Sequence, residues 1–92
     1  MNKIVIELDG RIIVNKADFH AEIARLLNFP EWYGKNLDAL WDLLTGYCDT
    51  NIRLTWKYHK ISQDNLGVDF DKIVSVFNDL KKPHPEFEFI LD

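Results

Sequence analysis

The alternation of apolar and polar positions along the chain predicts three short strands. KIVIEL at 3–8 is rich in β-branched residues and is typical of a buried strand. NIRLTW at 51–56 alternates apolar with polar side chains, and FEFIL at 87–91 forms a final apolar strand. DGR at 9–11 predicts a turn after the first strand, and IIV at 12–14 either extends that strand or leads out of the turn.

Apolar residues at helical spacing predict a first helix between the first two strands. It begins after Asn15, whose side chain can cap a helix and is followed three residues on by the weak capping acid Asp18. Its apolar face continues to about Asn28, and Pro30 is expected to stop the helix.

The remaining helices are predicted from the same kind of spacing. A second helix extends from about 36 to 44, with Gly46 as its terminator. KYHKIS at 57–62 predicts a short helical turn, and the apolar residues within 68–82 predict a longer helix. Two lysines close that last helix, where the helix dipole favours cations, before Pro83 ends it.

The predicted order is strand, helix, helix, strand, short helix, helix, strand. Strands separated by helical crossovers form parallel sheets with right-handed connections. We therefore predict an α/β fold, a three-stranded parallel sheet packed with about four helices. The 92 residues suit a single domain spanning 1–92, and no repeat or linker divides them.

The composition supports a packed core and favours a protein partner. Hydrophobic residues make up 47% of the chain and aromatic residues 13%, which is enough to fill one core without metal or disulfide. The net charge of −4 repels phosphate backbones, so a basic protein is a better partner than nucleic acid.

Cysteine content and hydropathy indicate a compartment. Cys48 is the only cysteine and cannot form an internal disulfide, and the sequence shows no signal peptide and no apolar run of about 18 residues. We expect a protein of the reducing cytoplasm that does not associate with membranes and is a monomer when free.

Two acidic residues are the most informative feature of FPEWYGKNLDALWDLLTGY, at 29–47. Asp38 and Asp42 lie four residues apart, about one helical turn, so they share a face and repel by a few tenths of a kcal/mol. At about 100° per residue from Leu37, they fall near 100° and 140°, close to the exposed side. An apolar stripe lies beside them, within about 60° of Leu37: Leu40, Trp41 and Leu44.

Spacing alone leaves three interpretations of these carboxylates open. An acid pair on a helix is most often a solvated face. Paired carboxylates also perform general acid–base chemistry in glycosidases, although 92 residues leave little room for a substrate cleft and the sequence shows no nucleophile–base pair or phosphate loop. The third interpretation is a binding surface for a cationic partner, which the acidic net charge favours.

No metal, cofactor or catalytic residue is predicted. His20, His59 and His84 lie on three different predicted elements without ligand spacing, and His20 is expected to be a packed histidine of the first helix. Cys48 follows the second helix, lacks a histidine partner in the sequence pattern and is expected to be an inert thiol.

The motif PEWYGKNLDALWDLLTG at 30–46 resembles the barstar family, the bacterial intracellular inhibitors of the secreted ribonuclease barnase. Proline, acid, two aromatics, glycine, NLDALWD and LTG follow one another in the family's order. Weaker similarity extends along the whole chain, through Asp18-Phe19-His20, Leu54-Thr55-Trp56 and Val76-Phe77. The family fold, a three-stranded parallel sheet with four helices, agrees with the order of predicted elements.

The resemblance implies a stoichiometric, non-catalytic inhibitor that binds a basic, extracellular-type ribonuclease one to one. The second helix and the loop before it would enter the active site, with carboxylates standing where RNA phosphates lie. Asp42 would be the main contact, and Asp38 would pair with a second arginine. Trp32 stands in place of a tyrosine that packs against the enzyme's catalytic histidine. Asp79 takes the place of an acid on the last helix that reaches a further basic residue.

The resemblance also implies the rest of the contact surface. Some residues would line the contact and others would form its border: Gly34, Asn36 and Leu37 in the first group, and Trp41, Thr45, Gly46 and Tyr47 in the second.

Besides Trp32, four positions depart from the family pattern and bear on which ribonuclease is bound. Tyr47 replaces a tryptophan, and Asp79 is one methylene shorter than the usual glutamate. Pro83 occupies a place where an acid can add a contact, and Lys35 puts a positive charge in a loop that is acidic in the family's namesake. An alternative stays open, a barstar-like immunity protein or antitoxin that binds a different, non-ribonuclease basic partner.

Overall fold

The computed structural model describes residues 3–92 and confirms the predicted α/β fold. The predicted domain of 1–92 begins earlier, so Met1 and Asn2 lie outside the described residues. The elements in chain order are β1 (Ile4–Asp9), a 3₁₀ turn (Gly10–Ile12), α1 (Lys16–Leu27), α2 (Leu37–Gly46), β2 (Ile52–Lys57), α3 (His59–Leu66), α4 (Val68–Leu80) and β3 (Glu88–Leu91). Within this described part, the three strands form one parallel sheet in the order β1-β2-β3.

The central strand of the sheet is β2, and the two edges are β1 and β3. Ile6 pairs with Leu54, and Leu54 in turn pairs with Phe89. The prediction that the first strand is buried is wrong, because Ile4 and Val5 are 45% and 59% exposed. As an edge strand, β1 has a neighbouring strand on one side only. Val5 also lies in the same row as the exposed Arg53, on the face of the sheet that the helices leave uncovered.

One face of the sheet is open to solvent and carries charged residues. Val5, Arg53 and Glu88 form one row across the three strands, and their side chains are substantially exposed. Arg53 Nε donates to Glu88 Oε2 at 2.6 Å, and Lys57 Nζ donates to Asp92 Oδ2 at 2.6 Å. Most parallel sheets are covered on both faces, and this one is not. Exposed ion pairs contribute little to stability, so the main effect of these pairs is to keep the uncovered face hydrophilic.

The core lies between the other face of the sheet and the helices. Trp56 of β2 stacks on Phe19 of α1, with ring centroids 5.5 Å apart, and Phe19 meets Phe77 of α4 edge to face at 6.1 Å. All three rings are 0% exposed. Burying such side chains contributes about 1.5–3 kcal/mol each, so these aromatic residues join α1, β2 and α4 into one core.

A chain of buried hydrogen bonds attaches α3 to the end of β1. Trp56 Nε1 donates to Ser62 Oγ at 3.0 Å, and Ser62 Oγ donates to the carbonyl of Gly10 at 2.8 Å. The predicted short turn at 57–62 is in fact an eight-residue helix, His59–Leu66. Ser62 therefore satisfies two buried polar groups at once, which the sequence pattern did not indicate.

The first helix begins as predicted and ends for a different reason. Asn15 Oδ1 accepts from the backbone N–H of Asp18 at 2.9 Å, which confirms the predicted cap. The helix ends at Leu27 because Asn28 adopts a left-handed conformation, with φ of 54°. The prediction that Pro30 stops this helix is wrong, since the chain has already left the helix before the proline.

Other element ends differ from prediction by a few residues. The second helix continues through Gly46 instead of ending near 44, and the last helix ends at Leu80 instead of continuing to 82. Ile12 ends the 3₁₀ turn, so IIV at 12–14 leads out of the turn and does not extend the strand.

Candidate functional site

Helix α2 presents one face to the core and the opposite face to solvent. Its first turn is capped by Asn36, whose Oδ1 accepts from the backbone N–H of Ala39 at 2.8 Å. Leu40, Leu43 and Leu44 are buried. The predicted stripe was centred too far to one side, since Leu37 and Trp41 are only half-buried and Leu43 belongs to the buried face.

The outward face of α2 carries Asp38 and Asp42, both exposed and one turn apart. Neither carboxylate forms an ion pair or a side-chain hydrogen bond within residues 3–92. Because they lie opposite the buried leucines, these charges contribute nothing to core packing, and their mutual repulsion costs about 0.2–0.5 kcal/mol. The helix therefore holds two negative charges in fixed positions, exposed to solvent and unpaired within the described residues.

The loop before α2 is held in place by a turn and a buried side chain. Tyr33 N–H donates to the carbonyl of Pro30 at 3.0 Å, and Asn36 Nδ2 donates to the carbonyl of Gly34 at 3.4 Å. The hydroxyl of Tyr33 lies 2.6 Å from Nδ1 of His20 on α1, and both side chains are buried. The preceding residue in the chain, Trp32, is 71% exposed, so the loop points one aromatic ring inward and the other outward.

The His20–Tyr33 pair is uncharged near neutral pH. Burial raises the pKa of the Tyr33 phenol above its ordinary value. Burial, together with the charges of Lys16 and Lys35, lowers the pKa of His20. The prediction that His20 is a packed histidine is confirmed, but its hydrogen bond to the loop before α2 was not foreseen.

This pair makes stability depend on pH in a defined window. Because the pKa of His20 is lowered in the folded state, the unfolded chain takes up the proton more readily. The free energy of unfolding should therefore fall as pH drops below the ordinary histidine value of 6.5. Glu86 and Glu88, whose pKa values are lowered from 4.5, add acid sensitivity only at lower pH.

Urea denaturation between pH 7.5 and 5.5 measures this effect. The His20→Gln variant should lose the decline seen in the wild type over that range, whatever its absolute stability. The His59→Gln variant keeps His20 and serves as the matched control, so it should retain the decline. An equal decline in all three proteins would contradict the assignment to His20.

A groove separates this loop from the outward face of α2. Its volume is about 430 Å³, and the described residues that line it are mainly apolar and include the carboxylate of Asp42. Trp32 and Tyr47 meet edge to face, with ring centroids 6.3 Å apart, and both are more than half exposed. Exposed aromatic rings beside an unpaired carboxylate are typical of a surface that binds another protein.

The structure brings some of the predicted contact residues together in this groove and leaves the others outside. Those lining the groove are Trp32, Gly34, Asp42, Gly46 and Tyr47, together with Tyr33, Ala39 and Leu43, which sequence reasoning did not name. Asn36 and Leu37 line a separate hollow on the other side of the loop, and Asp38, Trp41 and Thr45 follow α2 outside the groove.

The predicted contact residue Asp79 lies on α4, away from the groove. Its carboxylate is 4.0 Å from Lys82 Nζ, and both side chains are mostly exposed. An exposed pair at this distance contributes little, so Asp79 remains free to exchange Lys82 for another cation.

A threonine, a histidine and a glutamate also lie together, but not as a catalytic triad. His84 Nδ1 is 3.1 Å from Thr50 Oγ1 and 3.2 Å from Glu86 Oε2. A triad needs the nucleophile and the acid on opposite ring nitrogens, whereas here both approach the same nitrogen. The three side chains instead link the segment before β2 to the segment before β3.

Two further findings concern residues 3–92 only. They contain no group of three histidine, cysteine or acidic side chains arranged to hold a metal ion. They also contain no helix that is both long and apolar enough to cross a membrane.

Comparison with known proteins gives two findings. A sequence model of the family described as "Barstar (barnase inhibitor)" matches residues 4–91. A protein of Bacillus subtilis (strain 168) named "Putative ribonuclease inhibitor YrdF" is 38% identical to this chain over 93 residues, and the alignment covers 100% of both sequences.

Proposed function

This chain belongs to the barstar family, and we propose from that premise that it inhibits a barnase-type ribonuclease by covering the enzyme's active site. The observation that carries the proposal is the outward face of α2, where Asp38 and Asp42 are exposed and unpaired within the described chain. No step of the proposal requires a catalytic group or a cofactor.

The chemistry of a ribonuclease site explains why carboxylates suit this task. Such a site stabilises the charge of a phosphoryl transition state with preorganised cationic groups. A carboxylate placed where the phosphate lies can accept two parallel hydrogen bonds from arginine, which are stronger than bonds between neutral groups. In this proposal Asp42 makes the main contact and Asp38 pairs with a second arginine.

The groove beside Asp42 supplies the uncharged part of the contact. Trp32 and Tyr47 form its exposed aromatic rim, and Trp32 packs against the enzyme's catalytic histidine. Excluding water from this region strengthens the ion pairs at its centre. Because the His20–Tyr33 bond fixes the loop before binding, little additional ordering is needed when the ribonuclease docks.

The remaining contacts are proposed to surround these central groups. Gly34, Asn36 and Leu37 line the contact, and Asp79 reaches a further basic residue after exchanging Lys82 for it. The border consists of Trp41, Thr45, Gly46 and Tyr47. We propose that the whole chain acts as one intracellular domain and binds one molecule of a secreted, basic ribonuclease.

The proposal is tested by titrating the protein into barnase and a panel of related bacterial ribonucleases, with cleavage of a fluorogenic RNA as the readout. At least one enzyme should lose activity in proportion to inhibitor until the molar ratio reaches one. Size-exclusion chromatography with light scattering should then show a complex of one molecule of each. If no ribonuclease in the panel is inhibited, the proposal is contradicted, and capture of a basic protein without ribonuclease activity would favour the antitoxin alternative.

A further inference from the structure

A second hollow lies on the opposite side of the loop from the groove and carries three lysines. Lys16 of α1, Lys35 of the loop and Lys72 of α4 line this hollow, which has a volume of about 360 Å³ and is here called the lysine hollow. Asn36 and Leu37, at the start of α2, also line it. The hollow therefore adjoins the surface proposed to meet the ribonuclease.

The positive charge of the lysine hollow is not neutralised within residues 3–92. None of its three lysines lies within 4.0 Å of a carboxylate oxygen of these residues, whereas all three arginines of the chain form such pairs. Among the described residues, Asp69 is the one carboxylate lining the hollow, and it forms no ion pair with these lysines. Three cations against one acid leave this region positive in a chain whose net charge is −4.

Helix geometry adds to this positive field. Lys16 is the first residue of α1, Asn36 caps α2, and Asp69 lies in the first turn of α4. The amino-terminal end of a helix carries about half a positive charge, so three such ends converge on the hollow. His20 also lines the hollow, and its pKa is lowered first by burial and then by the charges of Lys16 and Lys35.

We propose that the lysine hollow receives an aspartate or glutamate side chain of the ribonuclease, next to the cationic active site that α2 covers. The proposal rests on the inhibitory function proposed above and names a second feature of the same partner. It follows from two observations: the hollow shares Asn36 and Leu37 with the proposed contact surface, and its lysines are unpaired within the described chain.

This arrangement determines orientation and selectivity. The binding surface is acidic along α2 and basic beside the amino-terminal end of α2, so a suitable ribonuclease carries the opposite pattern. An enzyme that is basic throughout is repelled by Lys16, Lys35 and Lys72. Unfavourable like-charge contact of this kind discriminates between partners that present the same active-site cations.

The sign of a charge change tests this proposal. Removing any lysine makes the inhibitor more acidic, which by itself should speed association with a basic enzyme. Lys35→Gln and Lys72→Gln should instead weaken binding to the inhibited ribonuclease by about 2- to 5-fold each, as expected for one partly exposed ion pair. Lys60→Gln on α3 is the matched control, an exposed lysine unpaired within residues 3–92, and should bind equally well or slightly more tightly.

Rate constants measured by stopped-flow mixing at about 50 mM and 300 mM salt give the comparison, with thermal melts to verify folding. Double-mutant cycles then combine Lys35→Gln with ribonuclease variants in which each surface carboxylate in turn is changed to its amide. For one of these carboxylates, the effects of the two substitutions on affinity should differ from additivity by about 2-fold or more. If Lys35→Gln and Lys72→Gln behave like Lys60→Gln, the proposal is overturned.

Two further outcomes are distinguishable. If wild type inhibits a ribonuclease, and Lys35→Gln and Lys72→Gln bind that enzyme as tightly as Lys60→Gln does, the lysine hollow proposal fails and the inhibitory function stands. If wild type inhibits no ribonuclease, both fail. The other occupant to test is a free phosphate, which would raise the melting temperature in phosphate relative to chloride of equal ionic strength. If Lys35→Gln abolishes that increase, and Lys35 does not couple to any carboxylate of the ribonuclease, the proposal is also overturned.

Discussion

Asp42→Ala should weaken inhibition by about 30-fold to several thousand-fold. Removing one member of a desolvated, hydrogen-bonded charge pair costs about 2–5 kcal/mol, much of it because the opposing cations remain buried without a counter-charge. The substitution should have little effect on the stability of the unbound protein, because Asp42 is exposed and unpaired within the described chain. Its free energy of unfolding should stay within about 0.5 kcal/mol of wild type.

Asp64→Ala is the matched control for this prediction. Asp64 is an exposed aspartate of α3, so its removal changes the net charge equally but at a distance from α2. It should slow association only slightly, and raised salt should reduce even that difference. Asp42→Ala should act mainly on the dissociation rate. If the two variants inhibit the target ribonuclease equally well, Asp42 is not the main contact.

Gly10→Ala should destabilise the protein by about 3 kcal/mol or more. A Cβ built on Gly10 would lie 2.6 Å from the carbonyl oxygen of Lys57 and closer still to that of Tyr58. It would also lie 2.7 Å from Ser62 Oγ, which donates to the Gly10 carbonyl. Two of these neighbours are backbone atoms, so relief requires displacing the chain and breaking the buried bond through Ser62.

The measurement is the free energy of unfolding from urea denaturation, with Gly46→Ala as the control. A Cβ on Gly46 would meet nothing within 4 Å, and the residue lies in a helix, where alanine is favoured over glycine by up to about 1 kcal/mol. Gly46→Ala should therefore keep or slightly raise stability while reducing inhibition, since Gly46 lines the groove. If the Gly10→Ala protein is as stable as wild type, the contact of Gly10 with Lys57, Tyr58 and Ser62 is not tightly packed.

The order of strands and helices could be predicted because most elements carry a recognisable apolar pattern, although α3 was predicted only as a short turn. The alternation in β2 and the spacing of apolar residues in α4 needed no knowledge of the remaining chain. Burial of β1 could not be predicted in this way, because a β-branched run has the same composition at the edge of a sheet as in its centre. The end of α1 was also misplaced, since the left-handed Asn28 left the helix before Pro30 could act.

The candidate site was predicted unevenly for a similar reason. Sequence spacing correctly placed Asp38 and Asp42 on an exposed helix face, while their proposed roles came from resemblance to the barstar family. The groove and the lysine hollow depend on which side of the loop each side chain faces, and no period encodes that. Lys16 and Lys72 lie far from Lys35 in sequence, so only the packing of α1 and α4 against the loop brings them together.

The division of α2 into a leucine face and an opposite acidic face has an evolutionary consequence. Leu40 and Leu44 are buried in the core, whereas Asp38 and Thr45 are exposed. Mutations on the two faces should have additive effects, so the exposed residues can change as a binding partner changes, without compensating substitutions in the core. We therefore expect new partner preferences to arise by single substitutions on the exposed face of α2.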